Sequence, residues 1–322
     1  MKAIIFGGAG FIGSELAKKL HSEGSEVTAF DSLYTGKMEN IAELSGKPGF
    51  AFVKGDARRL EEVKKAIAGH DVAYHLAANA DIRGGMENTF LDMEYNTVTT
   101  YNVLEAMRKT DVRKLMFTSS SAVYGEPLVF PTPETYGPLR PTSLYGASKL
   151  AAEAYVSAFC EDFGMQSFVF RFVNILGSKN NHGVVGDFIR KLKASPKRLE
   201  ILGNGLQRKS GMHISDCLSG IEAAMRAGKE RTNIYNIGND DWLTVNQIAD
   251  EVVSAMKLSG VEYSYTGGDR GWTGDMPVVF LDNKKLRALG WKPSMNSAQA
   301  VFRAATEMLA LQDIADKHKE HF

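Results

Sequence analysis

Short apolar runs alternate with stretches in which apolar residues recur at helical spacing, and this alternation governs the first half of the chain. Runs of strand length stand at 2–6 (Lys2-Ala3-Ile4-Ile5-Phe6), 26–30, 50–53, 71–76, 113–118 and 167–172. Helical periodicity marks 11–22, 58–68, 86–109 and 145–163. Strand and helix in turn predict an α/β fold, a doubly wound parallel sheet of Rossmann type with crossover helices. From Leu176 onward the alternation loses its regularity, so a smaller C-terminal domain is expected there. No internal repeat or low-complexity segment is present, and the charged stretch from Gln312 to Phe322 is expected to fray.

The first strand runs directly into glycines at 7, 10 and 13, and a helix follows with Phe11, Leu16 and Leu20 on its apolar face. Gly7 permits a tight turn, Gly10 lets the backbone approach a pyrophosphate, and Gly13 lets the helix pack closely on the strand. Phe11 and Ile12 open that helix, whose N-terminus faces the negative charge. The next strand ends in Asp31. An acid there binds the adenosine ribose hydroxyls and repels a 2′-phosphate, which favours NAD over NADP. A lone glycine triplet carries little; strand, triplet, helix, strand and terminal acid in this order carry much more.

Tyr145 and Lys149 stand four apart in Tyr145-Gly146-Ala147-Ser148-Lys149 and share one face of a predicted helix. A free phenol titrates near ~10, and a fixed cation beside it favours the phenolate. The pair is therefore expected to supply a general base near neutral pH. A serine cluster, Ser119-Ser120-Ser121, ends a neighbouring predicted strand and offers a hydroxyl to orient a substrate. Taken singly, a Tyr-x-x-x-Lys is more often an ordinary surface pair; here it follows a dinucleotide-binding opening.

Composition bounds the rest. The chain has 322 residues with 44% hydrophobic content and zero formal net charge. No overall field favours nucleic acid or a membrane surface, so anion binding must come from local groups. Cys160 and Cys217 are the two cysteines, too few for a disulfide framework and in keeping with a reduced cytoplasm. The seven histidines form no cluster with metal-ligand spacing, and His318 and His321 lie in the polar tail. The N-terminus enters a strand at once, so no signal peptide is expected, and no apolar stretch approaches membrane-spanning length.

With these motifs the chain resembles the extended short-chain dehydrogenase/reductase family, specifically its nucleotide-sugar epimerases and dehydratases. Further matches are Gly55-Asp56, His75-Leu76-Ala77-Ala78, Asn96-Thr97, Ser119 to Gly125, Arg171-Phe172-Val173-Asn174, Gly203-Asn204-Gly205-Leu206-Gln207, Ile214-Ser215-Asp216, Gly274-Asp275-Met276-Pro277 and Leu289-Gly290-Trp291-Lys292-Pro293. The resemblance implies an NAD-binding domain over 1–175 plus about 212–257, and a nucleotide-sugar domain over about 176–211 and 258–312. It places the catalytic hydroxyl four before Tyr124, at Ser120. Ser119 and Ser121 should then face away, because strand side chains alternate.

The resemblance also implies individual contacts. Asp56 would receive the adenine amino group, or else cap the following helix. Ala77 and Ala78 leave space for the cofactor, Lys37 would neutralise phosphate charge, and Lys149 would bond the nicotinamide ribose. Asn96 would sit near the active site or pack between helices. On the substrate side, Ser120 and Tyr145 would hold the sugar and Asn174 the diphosphate, while Leu199 to Leu202 would offer backbone bonds to the base. Lys209 and Arg270 would supply cations, although Lys209-Ser210-Gly211 and the spacer Gly271-Trp272-Thr273 depart from the family's common pattern, leaving Arg208 and Lys209 as alternatives. Val279 would gate the sugar pocket or be packed as a strand residue.

Sugar dehydratases of this kind carry Asp-Glu directly after the catalytic hydroxyl, where this chain has Ser121-Ala122. The expected reaction is C4 epimerisation of a UDP-hexose such as UDP-glucose or UDP-galactose. The alternatives are a UDP-N-acetylhexosamine or UDP-uronate epimerase, a dehydratase or decarboxylase, and a non-catalytic NAD(H) sensor on the same fold. A homodimer through helices 86–109 and 145–163 is expected as well.

Overall fold

A computed structural model of the chain describes residues 1–82, 84–180 and 183–319, with side chains described as far as 313. His318 and His321 therefore lie outside the described side chains. The chain forms two units. The first comprises Met1–Tyr124, Leu139–Arg171 and Ala224–Tyr235; the second comprises Gly125–Pro138, Phe172–Ala223 and Asn236–Phe322. The re-entrant stretch of the first unit is thus shorter than the expected 212–257, and the second unit takes the early loop 125–138.

In the first unit the strands are β1 (Lys2–Phe6), β2 (Glu26–Asp31), β3 (Phe50–Lys54), β4 (Val72–His75), β5 (Lys114–Ser120) and β6 (Gln166–Phe172). The sheet runs β3-β2-β1-β4-β5-β6 and adds the Thr232–Ile237 strand beyond β6. The β2–β3, β1–β2, β1–β4 and β4–β5 pairings are all parallel. Chain order reverses between β1 and β4, and a doubly wound sheet opens a crevice at that point, beyond the strands' carboxyl ends. Ile4, Phe6, Phe30, Leu104, Met107, Leu115 and Phe117 are almost fully buried in one core cluster. Enclosing each such side chain contributes about 1.5–3 kcal/mol.

The predicted helices form at α1 (Phe11–Ser22), α2 (Leu60–Ile67) and α5 (Leu144–Phe163). The single helix expected over 86–109 is instead broken into α3 (Gly84–Glu87), a π-helical turn Met93–Val98 and α4 (Thr99–Arg108). Such turns cluster at functional sites, and this one carries Tyr95 and Asn96. Ser143 caps α5 by accepting from the Gly146 N–H at 3.1 Å, and Gly164 ends it in the left-handed region at φ 65°. Gly146 has a steric role as well: a Cβ there would lie 2.6 Å from the Ala122 carbonyl. Its absence lets α5 approach the turn after β5.

The second unit has its own core. Helices Val184–Ala194, Val245–Ala255 and Ser297–Lys319 surround Phe188, Ile189, Leu199, Ile201, Ile248, Val252 and Val301. Its short strand pairs include Arg198–Ile201 with Glu262–Tyr265, and Arg208–Lys209 with both Leu243–Thr244 and Val278–Val279. Among the described residues no helix is long and apolar enough to cross a membrane, and no group of three metal-ligating side chains is found.

Candidate active site

At the reversal point the β1–α1 turn forms a cradle of backbone. Gly7 has φ +82°, and a Cβ there would lie 2.7 Å from the Ala77 nitrogen. A Cβ at Gly13 would collide with the Gly7 carbonyl, so both positions require glycine. Gly10 is the N-cap of α1 and provides no side-chain cap, which leaves the amides of the first turn, Phe11 and Ile12 among them, for an anion. A pocket beside this turn is lined by Gly7, Gly10, Asp31, Tyr34, Asp56 and Ala77, with Ala78, Tyr95 and Thr99 completing the far wall.

Asp31 is buried at the end of β2. Its carboxylate accepts from the Ala9 N–H at 2.9 Å and the Leu33 N–H at 2.8 Å. Burial pushes its carboxyl above the usual range, and those amides, with that of Gly10, partly offset the shift. A glycine turn that only glycine fits, an uncapped helix start and a buried acid on one pocket wall suit a dinucleotide's pyrophosphate and ribose. Lys37 lies at the surface of this loop, its backbone N–H donating to the Ala9 carbonyl at 3.0 Å.

Asp56 lines the pocket. It is not the cap of α2, because the N-cap is Arg59. Its carboxylate is held by Arg58 through Nε at 3.0 Å and Nη2 at 2.6 Å. That contact, first among the causes, holds the Asp56 carboxyl below its usual range. Arg58 in turn lies 4.3 Å over the Tyr95 ring, which stacks on Tyr34 at 4.9 Å. This aromatic wall was not foreseen. Its signal was faint, since Tyr34 and Tyr95 are 61 positions apart in sequence and meet only through the fold.

Ser120, Tyr145 and Lys149 come together within the first unit. The Tyr145 hydroxyl is hydrogen-bonded to Ser120, whose Oγ also accepts from the Ala122 N–H at 3.2 Å. Lys149 is 3% exposed and donates to the Thr118 carbonyl at 3.0 Å. Ser119 faces the other way, donating to Glu153, which also pairs with Arg171 at 2.7 Å. Ser121 does not belong to the strand. It opens the helical turn Ser121–Tyr124, so strand alternation does not govern its direction.

The expected electrostatics also need correcting. Burial pushes the Tyr145 phenol up to about 12; the Ser120 bond lowers it and the charge of Asp92 raises it further. Burial pulls Lys149 down to about 8, with Asp92 and then Glu153 opposing. Lys149 Nζ sits 6.0 Å from the Tyr145 ring centre and is turned toward Thr118. Desolvation of the phenolate therefore outweighs help from that cation. Asn96, expected among cofactor contacts, has its side chain fully engaged. It accepts from the Asn79 N–H at 2.8 Å and donates to Ser148 Oγ at 2.9 Å. Ser148 donates to the Tyr145 carbonyl at 2.8 Å, so Asn96 ties the end of β4 to the helix carrying the base.

Apart from Ser120 and Tyr145, the substrate candidates lie in the second unit. Asn174 is exposed at the start of its strand. Leu199 is fully buried, so backbone groups are what it can offer a ligand, and Leu202 is half-buried. Lys209 donates to Asp275 at 2.6 Å and to the Met276 carbonyl. Arg270 makes a two-pronged contact with Glu126 at 2.6 and 3.0 Å. Both expected phosphate cations thus hold carboxylates. Arg208 lies 4.6 Å over the Trp242 ring. Val279 is 7% exposed in a two-residue strand beside Lys209, which matches the packed-residue alternative.

The NAD dependent epimerase/dehydratase family profile matches residues 3–238. A protein of Methanocaldococcus jannaschii that carries the provisional name UDP-glucose 4-epimerase is 32% identical over 311 residues, 95% of this chain and 97% of that one. The UDP-glucuronic acid decarboxylase 1 of Xenopus tropicalis is 31% identical over 300 residues, 91% of this chain and 68% of that protein. A crystal structure of a UDP-galactose 4-epimerase superposes with a TM-score of 0.85 at 36% identity, covering 97% of this chain and 99% of that one. The profile and these full-length relatives cover most of the chain, and the chain is an enzyme of the NAD-dependent epimerase/dehydratase family.

Proposed function

We propose that the protein interconverts UDP-glucose and UDP-galactose by transient oxidation at C4. The observation that carries this reading is the Ser120–Tyr145 contact beside Lys149, followed by a turn, Ser121–Tyr124, that contains no carboxylate. An epimerase needs one group to take and return the C4 hydroxyl proton, whereas elimination of water needs a further acid and base. Ala122 moves no proton. The two hydroxyls position the C4 oxygen, and Tyr145 accepts its proton. Loss of one proton from the Tyr145–Lys149 pair yields either phenol with amine or phenolate with ammonium, and the second form is the base. NAD, when bound, would supply reversible hydride transfer at C4, and inversion requires the 4-keto sugar to turn before the hydride returns. Because the cofactor is regenerated each cycle, it can remain bound.

Asn174, Arg270 and Lys209 are proposed to meet the diphosphate, and the backbone of Leu199 to Leu202 the uracil. The exposed rings Tyr101, Tyr155 and Phe163 on α4 and α5 support a homodimer through those helices. The buried free thiols of Cys160 and Cys217 support a cytoplasmic setting. The test is incubation with UDP-glucose, UDP-N-acetylglucosamine, UDP-glucuronate and a dTDP-sugar, with chromatographic resolution of products. UDP-galactose as the main product supports the proposal. A pentose from the uronate would show decarboxylation instead, and a 4-keto-6-deoxy sugar would show dehydration.

A further inference from the structure

Asp92 precedes the π-helical turn and is 1% exposed. A buried carboxylate is costly unless hydrogen bonds or a counter-charge compensate. Its Oδ1 accepts from Asn79 Nδ2 at 2.8 Å and Asn96 Nδ2 at 3.4 Å. Its Oδ2 is enclosed yet has no hydrogen-bond partner. Gly85 packs against that oxygen so closely that a methyl group there would overlap it. Shape therefore holds the oxygen where it is.

The groups around it come from several elements. Asn79 and Asp81 lie after β4 and Asn96 is on the adjoining turn; Asn96 Nδ2 reaches both Asp92 Oδ1 at 3.4 Å and, at 2.9 Å, the Oγ of Ser148, which directly precedes Lys149 in α5, the helix that also carries Tyr145. His75 in β4 is kept neutral by burial, which pulls it down to about 3. The Asp92 carboxyl is itself raised by burial, with the Asn79 bond and Lys149 opposing and Asp81 adding to the rise. Glu153 is the other carboxylate acting on Lys149, but Arg171 and Ser119 already occupy it. We propose that Asp92 is a positioning residue for the catalytic pair, its enclosed and unpartnered Oδ2 supplying the fixed negative charge that keeps Lys149 an ammonium beside Tyr145. This rests on reading Tyr145 and Lys149 as the base pair.

A negative charge favours the protonated form of any neighbour, so it acts on both members in the same direction. Neutralising it lets the pair release its first proton at lower pH. Asp92→Asn retains an oxygen for the Asn79 bond and removes the charge; Asp92→Ala removes the charge and leaves space. Two readouts in the cofactor-loaded protein test the idea. One is the acidic limb of the turnover–pH profile. The other is 15N-lysine NMR of Lys149, assigned with Lys149→Met and independent of activity. Both midpoints should fall by on the order of one pH unit in either variant. Reduced turnover with both midpoints unmoved, or midpoints that rise, overturns the proposal. If the wild type acts on no nucleotide sugar, the proposed function falls, and the Lys149 titration alone still decides the role of Asp92.

Discussion

The two units treat their ionic groups differently. In the first, polar groups of the candidate site are buried and incompletely satisfied: Asp92 Oδ2 has no partner, Lys149 donates to one carbonyl, and burial raises the proton affinity of Tyr145. In the second, the cations expected to hold substrate are matched by carboxylates of the same unit, Lys209 by Asp275 and Arg270 by Glu126. Burial without full compensation makes a group reactive, since its charge state responds strongly to what arrives. Pairing with a carboxylate makes a cation quiet until a stronger anion replaces its partner. On the proposed roles, chemistry and recognition are separated by how each unit compensates charge.

The sharpest break of that contrast is Tyr145→Phe. Removing the proton acceptor should leave the fold and NAD binding intact and cost turnover about 10³-fold. A variant within about tenfold of wild type, about 1.4 kcal/mol of barrier, would refute the assignment. Ser120→Ala removes one orienting hydroxyl and should cost about 10²-fold in kcat. Ser119→Ala makes the needed control, because Ser119 is directed at Glu153 and should disturb stability more than turnover. If Ser119→Ala or Ser121→Ala proves worse in kcat, the hydroxyl has been misplaced.

A weaker break concerns the cofactor. Asp31→Ala deletes an acceptor of the Ala9 and Leu33 amides together with the charge proposed to exclude a 2′-phosphate. NAD affinity should fall roughly tenfold and the preference over NADP should shrink, by titration with each dinucleotide. Unchanged discrimination would show that another group sets the preference. The variant should also lose some stability, because the two amides are left without that acceptor.

Much of the first unit was legible in the sequence because its strands are short continuous apolar runs and its helices carry 3.6-period patterns, and because Gly7, Gly13 and Tyr145 act through fixed local spacing. Six expected strands formed, the first with both ends as expected and the others with ends shifted by at most two residues. The expected helix over 86–109 failed for a physical reason: a π-helical turn over Met93–Val98, which carries Tyr95 and Asn96, keeps helical apolar spacing nearly intact while changing the winding. Asp56 and Lys209 were identified as charges, but the groups that neutralise them are set by tertiary packing. Arg58 is near Asp56 in sequence, yet its ring partner Tyr95 is not, and Asp275 lies 66 positions from Lys209. The Tyr145 proton affinity differs from the expectation because spacing reveals a neighbour's charge and says nothing of desolvation.

The smallest expected effect falls on the second unit. Arg270 and Glu126 are both partly exposed, at 36% and 43% of their side chains, so water screens the pair and its net strength is modest. A diphosphate offers the same planar guanidinium more acceptor oxygens and more charge than one carboxylate. Glu126→Gln weakens the competitor without touching the arginine. The expected result is a KM for UDP-glucose lowered by no more than about fivefold, the scale of an exposed ion pair, with kcat unchanged. The effect should fade as salt rises, because screening already weakens the contact in the wild type. Arg270→Gln should do the opposite and raise KM. If Glu126→Gln leaves KM where it was at low salt while Arg270→Gln raises it, the arginine binds substrate but the carboxylate does not restrain it. If neither variant moves KM, the ion pair belongs to the loop's own structure and the diphosphate is held elsewhere.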